Sequence, residues 1–278
     1  VAAEPAIDRC GRRCREQDLR TFPIARLIGK FELMSIKVAV VGATGRMGKL
    51  ALELIDAAQD LTLHAALDSK SELSQTIGAD VIFDITRFEV SQQVVAHAIA
   101  NNQKVLVGTS GWTAQHLQQI ESQLSGTEAA VVFVPNFSIG SMLASSFAAQ
   151  AGKFFDSIEI VEAHHAGKID SPSGTAVRTA EMISDARQGM TQPLIPGVGQ
   201  EARGQVVAGI PIHSIRLAGV SAKQDVVFGG ESEVLTISHE VSSIRSYVHG
   251  ILLSIRTAAN STGLLVGLQS VVDANTKN

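Results

Sequence analysis

Short apolar runs alternate with helical periodicity along the first half of the chain. Ile36–Val41 is an apolar run that predicts a strand, and it meets the turn Gly42-Ala43-Thr44-Gly45-Arg46-Met47-Gly48, after which a helix is predicted to about Ala58. Further strands are predicted at Leu61–Leu67, 80–86, 104–108 and 129–134, with helices at 90–101 and Ala114–Leu124 between them. Repeated βα units of this length argue for a parallel sheet with helices on both faces. Residues 139–155 then carry Ile139, Met142, Leu143, Phe147, Ala151 and Phe154, which is the face of one helix bridging into a second region.

There the pattern changes. Strands are predicted at 157–163, 210–217, 223–229 and 234–240, a helix at Gly174–Arg187, and a long Gly- and Pro-bearing loop at 189–205. Late strands joined by short turns suggest an open mixed sheet and an α+β region. A helix at 246–259 follows, and 264–268 reads as a strand returning to the first region. The fold class expected is α/β, with a Rossmann-type parallel-sheet dinucleotide-binding domain (34–138 and 248–278) and a smaller α+β substrate and oligomerisation domain (139–247).

The glycines sit at G-x-x-G-x-x-G spacing, after a strand and opening a helix, which is the context that gives such turns meaning. Gly42 permits the tight turn, Gly45 lets backbone approach a pyrophosphate, and Gly48 lets helix pack on strand. Asp68 lies about 20 residues beyond Gly48, where an acid meets the adenosine ribose. A glycine turn without a nucleotide is the plain alternative. The loops at Thr86-Arg87, Gly108-Thr109-Ser110-Gly111 and Pro135-Asn136-Phe137 follow strand ends, and ligands of open α/β sheets bind beyond those ends.

Composition narrows the class. A chain of 278 residues has room for two domains, and a formal net charge of −4 gives no cause to expect nucleic acid. No apolar run approaches the ~18 residues of a spanning helix, so no membrane partner is expected. Both cysteines, Cys10 and Cys14, lie near the N-terminus. The rest of the chain has no cysteine, which fits a reducing compartment and excludes a cysteine nucleophile there. No ligand spacing asks for a metal. Residues 1–33 carry Arg9, Arg12, Arg13, Arg15, Arg20 and Arg26 among Glu4, Asp8, Glu16 and Asp18, without apolar periodicity. They read as a disordered extension before a natural start at Met34.

The densest chemistry is Glu162-Ala163-His164-His165-Ala166-Gly167-Lys168-Ile169-Asp170-Ser171-Pro172-Ser173-Gly174-Thr175-Ala176. Two imidazoles and a lysine are candidate proton donors near neutral pH. The Ser-Gly-Thr turn opens a helix whose free backbone N–H groups suit a carboxylate or phosphate. A polar loop before a capped helix is the bland alternative.

This run resembles the signature of the dihydrodipicolinate reductase family of bacterial lysine and diaminopimelate biosynthesis. The resemblance extends from Ile36 to the C-terminus and takes in the turn at Gly42, Gly108–Gly111, Pro135-Asn136-Phe137-Ser138 and Ile237-Ser238-His239. It implies NADH- or NADPH-dependent reduction of a cyclic dicarboxylate in the cytoplasm by a homotetramer. Cofactor contacts are implied for Gly42, Thr44, Gly45, Arg46, Met47, Asp68, Thr86, Arg87, Gly108, Thr109, Ser110, Pro135, Asn136 and Phe137. Substrate contacts are implied for His165, Ser173, Gly174 and Thr175. His164 is the expected proton donor, and Lys168 assists it or holds charge. Asp170 is expected to cap the turn rather than orient Lys168. Arg216 and Arg245 are expected to be solvated or packed, and His213 and His239 to be structural. A dehydrogenase of another small carboxylate or polyol is one rival; sugar and inositol dehydrogenases would be expected to show Glu-Lys-Pro after the fifth strand, where Val134-Pro135-Asn136 stands. A non-catalytic dinucleotide sensor is the other, and it would have no need of His164 and Lys168 together.

Overall fold

The computed structural model describes residues 35–192 and 200–276. The readings of 1–33 as an extension and of part of the 189–205 loop lie outside the described residues. The first sheet is built from β1 (Ile36–Val41), β2 (Leu61–Leu67), β3 (Val81–Asp84), β4 (Lys104–Val107), β5 (Ala130–Phe133) and β11 (Gly263–Val266), in the order β11-β5-β4-β3-β1-β2, every pair parallel. Strands buried on both faces read as unbroken apolar runs, and β3, β4 and β5 are apolar and buried almost throughout. One face packs on α1 (Arg46–Ala57) and α6 (Val248–Ala259) through Leu50, Leu54, Ile251 and Ile255. The other packs on α2 (Phe88–Ala100) and α3 (Ala114–Leu124) through Val94, Val95, Ile120 and Leu124.

The second sheet has the order β10-β9-β6-β8-β7, from β6 (Ser157–His164), β7 (Gln205–Val207), β8 (Ile210–Arg216), β9 (Ala222–Gly229) and β10 (Val234–Val241). Only β6 and β8 run parallel; the other pairs are antiparallel, so the sheet is mixed. Alternate residues of β6 are buried, as expected of a sheet covered on one face. α4 (Ile139–Ala151) and α5 (Gly174–Arg187) supply that cover, with Ala148, Ala176, Ala180 and Ile183 packed on Ile158, Ile160, Ile212 and Phe228.

Three elements depart from the pattern reading. α4 stops at Ala151 because Gly152 and Lys153 follow, and the Phe154 that seemed to extend its apolar face is 83% exposed. β7 falls at the end of the span read as loop; three residues at a sheet edge give no usable alternation. α7 (Leu268–Thr276) buries only Leu268 and Val271, too little for a recognisable stripe.

A buried carboxylate joins the ends of β3 and β4. Asp84 is fully buried and accepts from Thr86 N at 3.1 Å, Thr86 Oγ1 at 2.6 Å, Thr109 Oγ1 at 3.3 Å and the Ser91 hydroxyl. Burial pushes its carboxyl above the usual range, against the pull of these donors. Asp84→Ala strands those donors, so its unfolding free energy in urea is expected to fall by roughly 1–3 kcal/mol. A change within about 0.5 kcal/mol, the range of a neutral surface substitution, would show that the hydroxyls re-partner freely.

Candidate active site

The turn after β1 folds as its glycines require. Gly42 has φ of +92°, and a Cβ there would stand 2.8 Å from the Ile85 carbonyl oxygen. A Cβ on Gly48 would stand 2.6 Å from the Ala43 carbonyl carbon, so α1 lies directly against the turn. Gly45 is the N-cap of α1 and brings no capping side chain. Thr44, Gly45 and Arg46 are exposed at this open end, and the first helical N–H groups have no intrahelical acceptor available. Asp68, just past β2, is exposed; its Oδ1 accepts from Lys70 N at 2.9 Å and Ser71 Oγ at 2.9 Å. The Lys70 N–H first, then the Ser71 hydroxyl, hold its carboxyl below the usual range.

Beyond the strand ends lies a cavity of about 240 Å³ lined by Met47, Ile85, Thr86, Gly108, Thr109, Ser110, Pro135, Asn136, Phe137 and Tyr247. The three loops singled out from the sequence thus meet Met47 of the glycine turn around one space. Gly108 is the tight point: a Cβ there would come within 2.9 Å of the Phe137 ring. Arg87 turns away, exposed and 4.0 Å from Glu89. Ile85 and Tyr247 were not read from the sequence. Tyr247 ends a single 3₁₀ turn, Ile244–Tyr247, far along the chain from the other lining residues, and no local pattern marks it.

Asn136 carries the connection to the second cluster. Its Nδ2 donates to Ser141 Oγ at 3.1 Å and to Thr175 Oγ1 at 3.3 Å, while Oδ1 accepts from Ser138 N at 2.9 Å. Thr175 lies in the first turn of α5, whose N-cap Ser173 accepts from Ala176 N at 3.2 Å. Among the described residues, no acceptor meets the backbone N–H groups of Gly174 and Thr175. A Cβ on Gly174 would meet nothing within 4 Å, so this helix end is open.

His164 is the last residue of β6, and its Nδ1 lies 2.5 Å from Glu162 Oε2. Burial is the main influence lowering its pKa; Glu162 pulls it up, and the charges of Lys168 and Arg216 push it down. His165 is exposed. Lys168 Nζ donates to both oxygens of Asp170, at 2.7 and 2.8 Å. Asp170 therefore orients Lys168, contrary to the reading as a turn cap, and the hydrogen bond from Lys168 holds its carboxyl low. Arg216 also departs from expectation. It is neither solvated nor mere packing, because it grips Glu162 with two nitrogens at 3.0 and 2.9 Å and reaches the Asp170 carbonyl oxygen at 2.6 Å. His239 lies against α4, with Nε2 3.2 Å from Ser138 Oγ, and His213 pairs with Glu159 at 2.7 Å, outside this cluster.

Comparison with known proteins bears directly on this arrangement. Residues 36–137 match the family model for the dihydrodipicolinate reductase N-terminus, and residues 140–272 match that for its C-terminus. The chain belongs to the dihydrodipicolinate reductase family. Among similar relatives, the 4-hydroxy-tetrahydrodipicolinate reductase of Clavibacter sepedonicus is 54% identical over 241 residues, spanning 86% of this chain and 87% of that protein. The Mycolicibacterium smegmatis enzyme of the same name is 40% identical over 86% of this chain and 99% of its own. A solved structure, dipicolinate-bound dihydrodipicolinate reductase from Paenisporosarcina sp. TG-14, superposes with a TM-score of 0.71 at 34% identity, covering 85% of this chain and 99% of that one. Like other dihydrodipicolinate reductase family members, the chain is an oxidoreductase working with a nicotinamide dinucleotide. The residues present fit that group: an uncapped helix end, a turn that side chains would fill, and a cavity beyond the strand ends.

Proposed function

We propose that this chain reduces 4-hydroxy-tetrahydrodipicolinate to tetrahydrodipicolinate, and that the observation carrying this reading is the single Asn136–Thr175 contact. It sets the cavity beyond the first sheet against the open N-terminus of α5. Gly42, Thr44, Gly45, Arg46 and Met47 hold the dinucleotide phosphates at the N-terminus of α1, and Asp68 holds a ribose. Thr86, Gly108, Thr109, Ser110, Pro135, Asn136 and Phe137 enclose the nicotinamide end, and Phe137 and Tyr247 keep water from it. Arg87 faces Glu89 and contributes charge at a distance. The 4-hydroxyl leaves as water, which conjugates a ring carbon to the imine, and the reduced nicotinamide, when bound, would supply a hydride to that conjugated ring. One substrate carboxylate rests on the N–H groups of Gly174 and Thr175, beside Ser173, His165 and Lys168. A bound dianion raises the pKa of His164 by adding negative charge nearby, so that His164 holds a proton and delivers it to the ring carbon. Lys168, steadied by Asp170, balances the substrate's charge.

The same reading extends to organisation. Residues 34–138 with 248–278 form the dinucleotide-binding domain, and 139–247 the substrate domain. The face of the second sheet away from α4 and α5 exposes Ile215 and Val234, which supports assembly into a homotetramer through that sheet. Among the described residues no helix is long and apolar enough to cross a membrane, and we place the enzyme in the cytoplasm with its pathway.

One assay tests the reaction and the cofactor together: oxidation of NADH or NADPH with the cyclic product of the preceding synthase supplied fresh. No oxidation of either cofactor would overturn the function. Both are expected to serve, with NADH at least as good. Asp68 accepts from the ribose hydroxyls of NADH but repels a 2′-phosphate; Ser69 follows it, so no arginine directly after it offsets that repulsion. Lys70 and Arg46 are the available cations. One charge-assisted hydrogen bond contributes roughly 1.5–3 kcal/mol, comparable to that repulsion. A preference for NADPH above about a hundredfold, near 2.7 kcal/mol, would mean that other side chains face the ribose.

A further inference from the structure

Glu162 has no solvent exposure, yet it is a carboxylate with four contacts to three partners. Oε2 meets His164 Nδ1 at 2.5 Å and Arg216 at 3.0 Å; Oε1 meets Arg216 at 2.9 Å and Ser173 N at 3.2 Å. A buried carboxylate persists in charged form only when paired and fully hydrogen-bonded. Burial pushes the Glu162 carboxyl up, but the donors from Arg216, Ser214 and His164 outweigh it and hold it below the ordinary range.

We propose that Glu162 is a positioning residue for the reduction, fixing the Nδ1–H tautomer of His164 and locking that imidazole to the N-terminus of α5. The inference rests on His164 being the proton donor. With Nδ1 occupied, Nε2 is the nitrogen left to face substrate. The same carboxylate anchors Ser173, the residue before the Gly174-Thr175 N–H pair. Arg216 in turn ties Glu162 to the Asp170 backbone, from whose side chain Lys168 hangs. One buried charge therefore sets the spacing between donor, helix end and lysine.

The charged groups facing His164 are Glu162 on its own strand, Arg216 opposite it on β8, and Lys168 with its partner Asp170 from the following loop; the residue opposite on β9 is Ala222. Only Glu162 among them raises the His164 pKa directly; the others that act on it, Lys168 and Arg216, lower it. Neutralising Glu162 therefore drives the His164 titration to lower pH. The alkaline limb of kcat, where the donor loses its proton, moves to lower pH with it.

The test is imidazole ¹⁵N NMR together with kinetics on Glu162→Gln, His164→Gln and the double variant, with the His164 signals identified by their loss in His164→Gln. Wild type is expected to show the Nδ1–H tautomer. Glu162→Gln is expected to lose that bias and titrate lower, with kcat reduced at least about tenfold, within the ~10²–10⁴-fold that a general acid contributes. In the His164→Gln background the same substitution is expected to cost clearly less than in wild type, because the part that acts through the imidazole is already gone. An unchanged His164 tautomer and titration, or an equal loss of kcat in both backgrounds, overturns the proposal. If His164→Gln keeps wild-type turnover, the donor assignment fails instead, while the NMR comparison still decides whether Glu162 sets the imidazole. Should Glu162→Gln not fold, Glu162→Asp keeps the charge for Arg216 but withdraws it from Nδ1; retention of the wild-type tautomer and kcat there overturns the proposal equally.

Discussion

Replacing His164 by Gln, or Lys168 by Ala, lowers turnover by about 10²–10⁴-fold while the dinucleotide binds as before. That loss corresponds to roughly 2.7–5.4 kcal/mol of barrier. The two effects have different origins. His164→Gln removes the imidazole that ends β6 and pairs with Glu162, the proposed proton donor. Lys168→Ala removes a cation and leaves Asp170 without the partner that now holds it at 2.7 Å. Neither residue lines the cavity beyond the first sheet, so titrating each variant with NADH and following protein fluorescence is expected to give an affinity within about twofold of wild type, on the order of a few tenths of a kcal/mol. Near-wild-type turnover in both variants would remove the cluster from the chemistry.

Alanine at Gly45 and at Gly48 is expected to separate binding from folding. A Cβ on Gly45 would meet only the Gly42 carbonyl oxygen, at 3.3 Å. Gly45→Ala is therefore expected to fold, with its methyl at the open end of α1 where the proposed pyrophosphate would approach. Losing one or two charge-assisted hydrogen bonds there, roughly 1.5–3 kcal/mol each, weakens dinucleotide binding by tenfold or more at about 1.4 kcal/mol per decade. A Cβ on Gly48 would press on the Ala43 carbonyl at 2.6 Å, and backbone cannot swing aside as a side chain does. Gly48→Ala is thus expected to lose about 1–3 kcal/mol of stability as well, the usual cost of overpacking. Calorimetric titration beside thermal melting distinguishes them. If Gly45→Ala melted early and bound normally, the roles of the two glycines would be reversed.

How much of this was legible in the residues depends on distance along the chain. The parallel sheet announced itself, because strands buried on both faces are unbroken apolar runs, as in Val81-Ile82-Phe83 and Val105-Leu106-Val107. The Ser173 cap was legible too, since Ser before Gly-Thr at a helix start has a local cause. Glu162 was within reach: it stands two residues before His164 on a strand, which puts both side chains on one face. Its meaning depends on Arg216, which reaches it only because β8 lies beside β6. Asp170 was misread because a turn residue followed by Ser-Pro favours local capping, and only the folded loop shows Lys168 within reach of it. Asp84 lies within the span 80–86 that reads simply as a strand; one of its partners, Thr109, arrives only from the next strand end. Tyr247 had no signal, because its place beside Phe137 and Met47 is purely a matter of tertiary packing.

The position of β11 has a consequence for how the molecule is made. It pairs with β5, Gly263 beside Ala130 and Val266 beside Phe133, although the whole second sheet lies between them in the chain. On the ribosome, β5 and the second sheet are synthesised long before residues 263–266 emerge. Until then β5 presents a row of unpaired backbone groups next to buried apolar side chains, the kind of template on which nascent chains mispair. A chain interrupted after α6 would carry every residue of the candidate site and still keep that margin open. Emergence of residues 263–266, rather than completion of the candidate cluster, is then the event that seals the first sheet, and chains terminated before them are the ones to look for in aggregates.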